Sequence, residues 1–258
     1  MIGATVGALP PSGAGLVVNK SSPQSVGLWA WLPTAGAVGG RAVDRSGYWA
    51  PPVMSGVTAA PDATVGTALS FSSGSIAINT TKPTDAGAFS VCFWAKPATT
   101  TPVGMFDLAP SQGNYIRNFS AGHVTINGNP DCDLSIPAAG VWYHFAFVFS
   151  KQSGAWNRIE YYRDGVLIST TNGVGVVNYN FGGPSVVGNI NGGGAGYYSG
   201  SMADFRIYNR GLSASEVFQM WAPATRWGLY GRKLARSAPS AGALGGVFYS
   251  GIFGGVAA

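Results

Sequence analysis

The chain has 258 residues, of which 39 are glycine, 16 are proline, 15 are basic and 10 are acidic. So few charges exclude a coiled coil or a long solvated helix, which are rich in charged residues. With 46% hydrophobic residues, the chain can bury the core of one large all-β domain or of two small domains. The frequent Gly, Val, Thr, Ser and aromatic residues favour strands joined by tight turns.

The net charge of +5 is concentrated near the C-terminus, because four basic residues and no acidic residue follow Glu216. Such a basic segment is either a solvated connector or a contact for nucleic acid, an anionic membrane or an acidic protein surface. The rest of the chain is nearly neutral, so neither nucleic acid nor a membrane is the expected partner. The first 20 residues contain no basic residue before Lys20, and no secretory signal is predicted there.

The predicted elements begin after an N-terminal arm, residues 1–25, which Pro, Gly and Ser interrupt. A first strand is predicted near residues 26–32, and two short strands are predicted on either side of Gly74. Residues 89–97 alternate, with Phe89, Val91, Phe93 and Ala95 on one face and Ser90, Cys92, Trp94 and Lys96 on the other.

The second half of the chain continues this pattern. Residues 142–149 are apolar on both faces, as a central sandwich strand is, and Asp164-Gly165 predicts a hairpin turn. Further strands are predicted at residues 103–108, 115–119, 123–127, 185–190 and 205–208. A dozen or so short strands without strand–helix alternation favour a sandwich or jelly roll.

One helix is predicted near the C-terminus. Ser213 and Glu216 have the spacing of a capping box, in which each side chain binds the other residue's backbone N–H. Val217, Met220 and Trp221 then fall on one side of the helix, and Pro223 ends it.

The core of the predicted sandwich is rich in aromatic residues. We expect Phe93, Trp94, Trp142, Phe145 and Phe147 to be mostly buried, because they occupy the most apolar strands.

Four segments follow one another in the chain: FSVCFWAKP (89–97), WYHFAFV (142–148), YYRDGVLI (161–168) and GSMADFRIYNRGLSASEV (200–217). In this order they resemble the characteristic strands, hairpin and closing helix of concanavalin A-like, laminin G-like domains. The resemblance implies an all-β fold, an antiparallel β-sandwich jelly roll with one short C-terminal helix. It divides the chain into an N-terminal arm (1–25), a laminin G-like domain (26–222) and a C-terminal extension (223–258).

The family includes sugar-binding modules, adhesion modules, glycosidases and structural virion domains, so the fold does not settle the function. Residues 222–230 resemble the exit sequence of such domains in tailed-bacteriophage virion proteins. The resulting expectation is a non-enzymatic structural or adhesion protein of a phage virion, such as a head decoration, fibre-associated or tail-associated subunit. It would be assembled in the host cytoplasm, with other virion chains and copies of itself as partners. The alternative is a carbohydrate-binding adhesion module of a phage or bacterial protein.

No catalytic site is predicted. Most glycosidases need two carboxylates about 5–9.5 Å apart, but Glu160 and Glu216 are the two glutamates of the chain, and Glu216 is assigned to the helix cap. The Glu-x-Asp-x-Glu strand of the family's glucanases is absent. His144 matches a structural position of the family and His123 lies on a candidate edge strand, so both are expected to be structural.

No cofactor is expected, although related domains often bind calcium through carboxylates in loops. The calcium candidates are Asp44, which resembles one family loop, Asp204, Asp131 and Asp133. The alternative is that Asp44 and Asp204 only satisfy backbone donors.

The two cysteines allow at most one disulfide. Cys92 lies in a core strand and is expected to be a buried thiol, whereas Cys132 is expected to be exposed. Whether they pair is left open.

Contact residues are predicted at two places. A glycan or partner would pack on aromatic rings beside loops, and Trp49, Trp156, Tyr197 and Tyr198 are so placed, with core packing as the alternative. The uncharged, Gly-rich residues 238–258 carry Leu244, Phe248, Tyr249 and Phe253. Because exposed apolar groups promote aggregation, we expect this tail to dock on another chain; the domain's own surface and a membrane are the alternatives.

Overall fold

The computed structural model describes residues 16–33, 43–47, 52–78, 87–111, 114–119, 123–126, 131–152, 155–172, 185–190 and 196–232. Within them the chain forms fifteen β-strands, one short 3-10 helix (Pro23–Ser25) and one α-helix, α1 (Ala214–Trp221). The strands are β1 (Leu16–Val18), β2 (Leu28–Leu32), β3 (Val53–Asp62), β4 (Gly66–Ile78), β5 (Ala88–Pro97), β6 (Phe106–Ser111), β7 (Asn114–Phe119), β8 (His123–Ile126), β9 (Asp131–Asp133), β10 (Tyr143–Gln152), β11 (Ala155–Arg163), β12 (Val166–Asn172), β13 (Ser185–Val187), β14 (Gly200–Tyr208) and β15 (Tyr230–Arg232).

Thirteen of these strands form one hydrogen-bonded antiparallel sheet that folds over on itself. Its order is β12-β11-β10-β5-β14-β4-β13-β6-β7-β8-β9, with β2 paired to β14 and β3 paired to β4. The two ends of this path meet across the sandwich, since Cys132 Sγ of β9 lies 3.3 Å from Ser169 Oγ of β12. The predicted all-β sandwich with one short C-terminal helix is confirmed.

Strand β5 lies near the centre of the sheet and is buried on both faces. Phe89, Val91, Phe93 and Ala95 all belong to the main core between the layers, as their alternation predicts. The Phe93 ring centroid lies 5.4 Å from that of Phe205 and 5.7 Å from that of Phe145. All five predicted core aromatic residues, Phe93, Trp94, Trp142, Phe145 and Phe147, are buried.

Strand β4 differs from the prediction, because the two strands expected around Gly74 are one continuous strand. It pairs with β3, which the sequence pattern did not predict and whose residues are mostly exposed. The two strands approach closely at Gly56 and Gly74: a Cβ atom at Gly74 would lie 2.3 Å from the Gly56 carbonyl oxygen. Glycine is therefore needed for the pairing rather than for a break between strands.

Helix α1 begins with the predicted capping box. Ser213 Oγ accepts a hydrogen bond from the Glu216 N–H, and Glu216 Oε2 accepts one from the Ser213 N–H. Val217 and Met220 are buried against the outer face of the sheet. Trp221, predicted on the same side, is only partly buried.

The two terminal segments pair with each other on the outer face of the sandwich. Strand β1 pairs with β15, and the Gln24 side-chain amide donates to the Thr225 carbonyl. The folded unit therefore extends beyond the predicted limits of 26 and 222, since each terminal segment supplies the other's strand partner.

The predicted assembly residues Leu244, Phe248, Tyr249 and Phe253 lie outside the described residues. Among the helices that the structure describes, none is long and apolar enough to cross a membrane.

Candidate functional site

A buried polar network in β14 lies beneath the candidate site. The strand changes register between Ala203 and Arg206, and Asp204 there adopts a positive φ of 55°. The Asp204 carboxylate accepts hydrogen bonds from Trp31 Nε1 (2.7 Å) and the Tyr230 hydroxyl (3.0 Å), and it pairs with Arg206. The bulge thus turns a carboxylate toward donors from β2 and β15.

Arg206 extends this network to the C-terminal segment. Its side chain is buried and donates to Gln24 Oε1 (2.8 Å) and to the Arg226 carbonyl (3.2 Å). Because the acceptors belong to both termini, the Asp204–Arg206 pair holds residues 222–230 on the outer face of the sheet.

Aromatic rings of α1 and of this segment lie at the surface. Trp227 packs beside Trp94, with ring centroids 6.4 Å apart, and Trp221 packs beside Phe218, 5.4 Å apart. Trp221 and Trp227 also pack against a cluster that contains Trp94 and Trp142. Phe218 is 49% exposed, and Trp221 and Trp227 are partly exposed. We call these five residues the tryptophan surface: Phe218, Trp221 and Trp227 on the outside, over Trp94 and Trp142.

A polar group borders the tryptophan surface. Asp62 is partly exposed, and its Oδ2 accepts a hydrogen bond from Trp142 Nε1 (3.1 Å). Its Oδ1 caps the turn between β3 and β4 by accepting from the Thr64 and Val65 N–H groups. In such an arrangement the flat rings can pack against the apolar face of a ligand, and the carboxylate can accept a hydrogen bond from one of the ligand's hydroxyls.

The Arg226 guanidinium contacts one inner and one outer ring of the tryptophan surface. Its guanidinium carbon is 5.4 Å from the Trp94 ring centroid and 5.2 Å from that of Trp227. Burial lowers the pKa of this guanidinium from its ordinary value.

The predicted contact residues Tyr197 and Tyr198 differ in their exposure. Tyr197 is 44% exposed, on a segment held by the Ala98 N–H to Ser199 carbonyl bond. The prediction of Tyr198 is wrong: its ring is completely buried against Phe71, and its hydroxyl donates to the Ser201 carbonyl.

The side chains of Trp49 and Trp156, the other two predicted contact residues, lie outside the described residues. Trp221 and Trp227 were not predicted as contact residues. The signal that could have found them is the cluster of aromatic residues around Pro223, at the point where the helix pattern ends.

The calcium candidates are engaged by protein donors or are not described. Asp44 accepts from the Trp31 N–H (2.9 Å) and the Ser46 N–H (3.1 Å). Asp133 binds the Ser135 N–H and hydroxyl, which lower the pKa of its carboxyl. The Asp131 side chain lies outside the described residues.

Asp204, the fourth calcium candidate, is bound within the buried network described above. In the part of the chain that the structure describes, no three His, Cys, Asp or Glu side chains form a metal-binding group.

The two glutamates are held by basic and hydroxyl groups. Glu160 pairs with Arg158 and accepts from the Tyr162 hydroxyl. Glu216 pairs with Arg210 in addition to capping α1. These partners give both glutamates structural roles.

The histidines also lie in structural positions. His144 is buried beside Trp94, and burial together with the charge of Arg206 lowers its pKa to about 3, so its ring is neutral at pH 7. His123 lies on β8, which pairs with both β7 and β9. The prediction that His123 occupies an edge strand is therefore wrong.

Neither cysteine forms a disulfide, and both are buried. Cys92 Sγ lies 3.4 Å from Met220 Sδ beneath α1, and burial raises the pKa of its thiol to about 12. The expectation that Cys132 is exposed is wrong, because it points into the main core between the two ends of the sheet.

A laminin G-like family model, described as the concanavalin A-like lectin/glucanases superfamily, matches residues 71–218. The chain belongs to this superfamily. The match spans β5, β10, the β11–β12 hairpin, β14 and the first part of α1, the elements that carry the resemblance seen in the sequence. No curated protein sequence matches the chain significantly.

Solved structures of other proteins share the fold. Domain 4 of AbnA, a GH43 extracellular arabinanase from Geobacillus stearothermophilus, in complex with arabinotriose, superposes with a TM-score of 0.60 and 20% identity, covering 76% of this chain and 98% of that domain. The receptor-binding domain of botulinum neurotoxin C/D mosaic serotype gives a TM-score of 0.56 and 15% identity, covering 76% of this chain and 51% of that domain. This chain thus corresponds to about half of the neurotoxin domain, and at these identities the likeness shows the fold alone.

Proposed function

We propose that this chain is a non-catalytic carbohydrate-binding adhesion module that holds its ligand on the tryptophan surface. The observation that carries the proposal is the packing of Trp221 and Trp227 against the cluster of Trp94 and Trp142, where Trp142 donates to the partly exposed Asp62. A sugar ring packs its C–H face on such aromatic rings, and its hydroxyls bind neighbouring polar groups.

The buried network supports this role because it keeps the surface rigid. Residues 222–230 are tied to β14 by Arg206 and Asp204 and to β1 by strand pairing. Rigid aromatic rings lose little conformational entropy when a ligand binds.

The structural relatives are consistent with a binding role. The arabinanase domain was solved with arabinotriose, and a related neurotoxin binding domain was solved in complex with rat synaptotagmin II. The arabinanase domain is also matched over nearly its full length, so a unit of this size is a complete module in that protein. Neither the family model nor these structures supports the virion role expected from residues 222–230.

A glycan array followed by titration calorimetry tests the proposal. We expect Trp227→Ala to weaken binding by about 30-fold or more, since truncating a central contact tryptophan costs about 2 kcal/mol or more. Tyr197→Ala is the matched control, because it removes an exposed ring elsewhere on the domain. Unchanged binding by Trp227→Ala, with a loss in Tyr197→Ala, would move the site to the Tyr197 segment.

A further inference from the structure

Arg226 is a buried cation without a counter-charge in the part of the chain that the structure describes. The residue is only 2% exposed, and its Nε is fully buried without a hydrogen-bond partner. No hydrogen bond or ion pair from its Nη atoms to a described residue is present, and burial alone accounts for its lowered pKa. The rings of Trp94 and Trp227 are the neighbours that the structure shows for its guanidinium.

Arg206 provides a direct comparison on the same face. It is equally buried, but it pairs with Asp204 and donates to Gln24 and to the Arg226 carbonyl. Burying a guanidinium is costly unless it is paired and hydrogen-bonded. Two cation–π contacts offset part of that desolvation cost for Arg226. An anion bound to the guanidinium would offset the remainder.

The carboxylates of this region form hydrogen bonds or ion pairs with groups other than Arg226. Asp204 is occupied by Trp31, Tyr230 and Arg206, and Asp62 by Trp142 and the turn that follows β3. The anion that satisfies Arg226 must therefore come from outside the described residues. The guanidinium lies close to the surface, because the Trp227 ring that it contacts is itself partly exposed.

We propose that the tryptophan surface binds an acidic glycan, whose carboxylate reaches the Arg226 guanidinium at the edge of the Trp227 ring. This inference rests on the proposed carbohydrate-binding function and adds the class of sugar. A planar guanidinium binds a planar carboxylate through two parallel hydrogen bonds. The adjacent rings favour a sugar acid over an acidic peptide, since they offer a stacking surface to the sugar ring. The net charge of +5 adds long-range attraction for a polyanionic chain.

Calorimetry with matched acidic and neutral ligands tests the proposal. The probes are a galacturonic acid oligomer, a glucuronic acid oligomer and sialyllactose, each beside its carboxyl-reduced or desialylated counterpart. We expect the wild-type protein to bind at least one acid at least tenfold more tightly than its neutral counterpart, with a preference that weakens as salt is raised.

Two variants locate the effect. Arg226→Met keeps the length and apolar packing of the side chain, and it should abolish the preference for the acid while leaving affinity for the neutral ligand within about twofold. Lys151→Gln removes one positive charge at the far end of β10 and should leave the preference unchanged. Because Arg226→Met removes an unpaired buried charge, its thermal transition should be no lower than that of the wild type; a clear drop would show that Arg226 is structural and would overturn the proposal.

The remaining outcomes separate the two claims. If neutral glycans bind with dependence on Trp227 but no acid is preferred, the acidic-sugar inference is wrong and the carbohydrate-binding function stands. If no glycan binds at all, both are wrong. If a glutamate-rich peptide binds as tightly as the acids and with the same dependence on Arg226, the ligand is an acidic protein segment and the sugar assignment is overturned.

Discussion

Replacing Asp204 by alanine should destabilise the domain strongly, because one carboxylate serves three buried donors. The variant leaves the Arg206 guanidinium without its ionic partner, and it leaves Trp31 Nε1 and the Tyr230 hydroxyl without their acceptor. Breaking a buried ion pair by removing one partner costs about 3–5 kcal/mol. For a chain of this size, 1 kcal/mol shifts the thermal midpoint by about 2–4 °C, so we expect a fall of about 6–20 °C in a calorimetric scan.

Two controls separate charge from shape in this experiment. Asp204→Asn keeps the size of the side chain and tolerates the positive φ, so it should lose less stability than the alanine variant. Asp133→Ala removes an exposed carboxylate whose hydrogen bonds to described residues are those with Ser135, and it should cost less than about 1 kcal/mol. An Asp204→Ala variant that unfolds within 2 °C of the wild type would refute the view that this network fixes residues 222–230.

Three further predictions concern stability and reactivity. The pKa of Glu216 is lowered from 4.5 to about 2, first by its hydrogen bond to Arg210 and then by the Ser213 cap. Its contribution to stability is therefore complete above about pH 5 and is lost as the pH falls from 4.5 toward 2; thermal scans of Glu216→Gln should lack this acid-dependent part. Neither Cys92 nor Cys132 should react with a thiol reagent in the native protein at pH 8, and both should react after denaturation; rapid native labelling would contradict their burial. Trp142→Ala should lower the free energy of unfolding by about 3–5 kcal/mol, whereas Val141→Ala, at an exposed neighbour, should change it by less than about 0.5 kcal/mol; equal effects in urea denaturation would contradict the core assignment.

Short-range sequence patterns predicted the elements that depend on local chemistry. The alternation in β5 placed Phe93 in the main core, and Asp164-Gly165 forms the β11–β12 turn with φ of 52° and 76°. The capping box of Ser213 and Glu216 likewise fixed the start of α1. These features depend on residues within a few positions of one another, so the sequence is sufficient to find them.

The features that the sequence analysis missed depend on contacts between distant segments. Strand β1 becomes a strand because β15, more than 200 residues later, pairs with it. Tyr197 and Tyr198 are neighbours in one loop, and only the packing of Tyr198 on Phe71 decides which ring is buried.

The same limit applies to the candidate site. Trp227 becomes a surface ring because Arg206 and Asp204 hold its segment on β14. The sequence shows the tryptophan but not the network that positions it.

An NMR titration of ¹⁵N-labelled protein with a glycan that binds is the most direct test of ligand binding on the tryptophan surface. The titration follows the indole N–H resonances. We expect the indole signals of Trp221 and Trp227 to shift in proportion to the bound fraction of protein. The indole of Trp31, buried and hydrogen-bonded to Asp204, should stay in place. Shifts confined to the backbone signals around Tyr197, with Trp221 and Trp227 unchanged, would contradict the account.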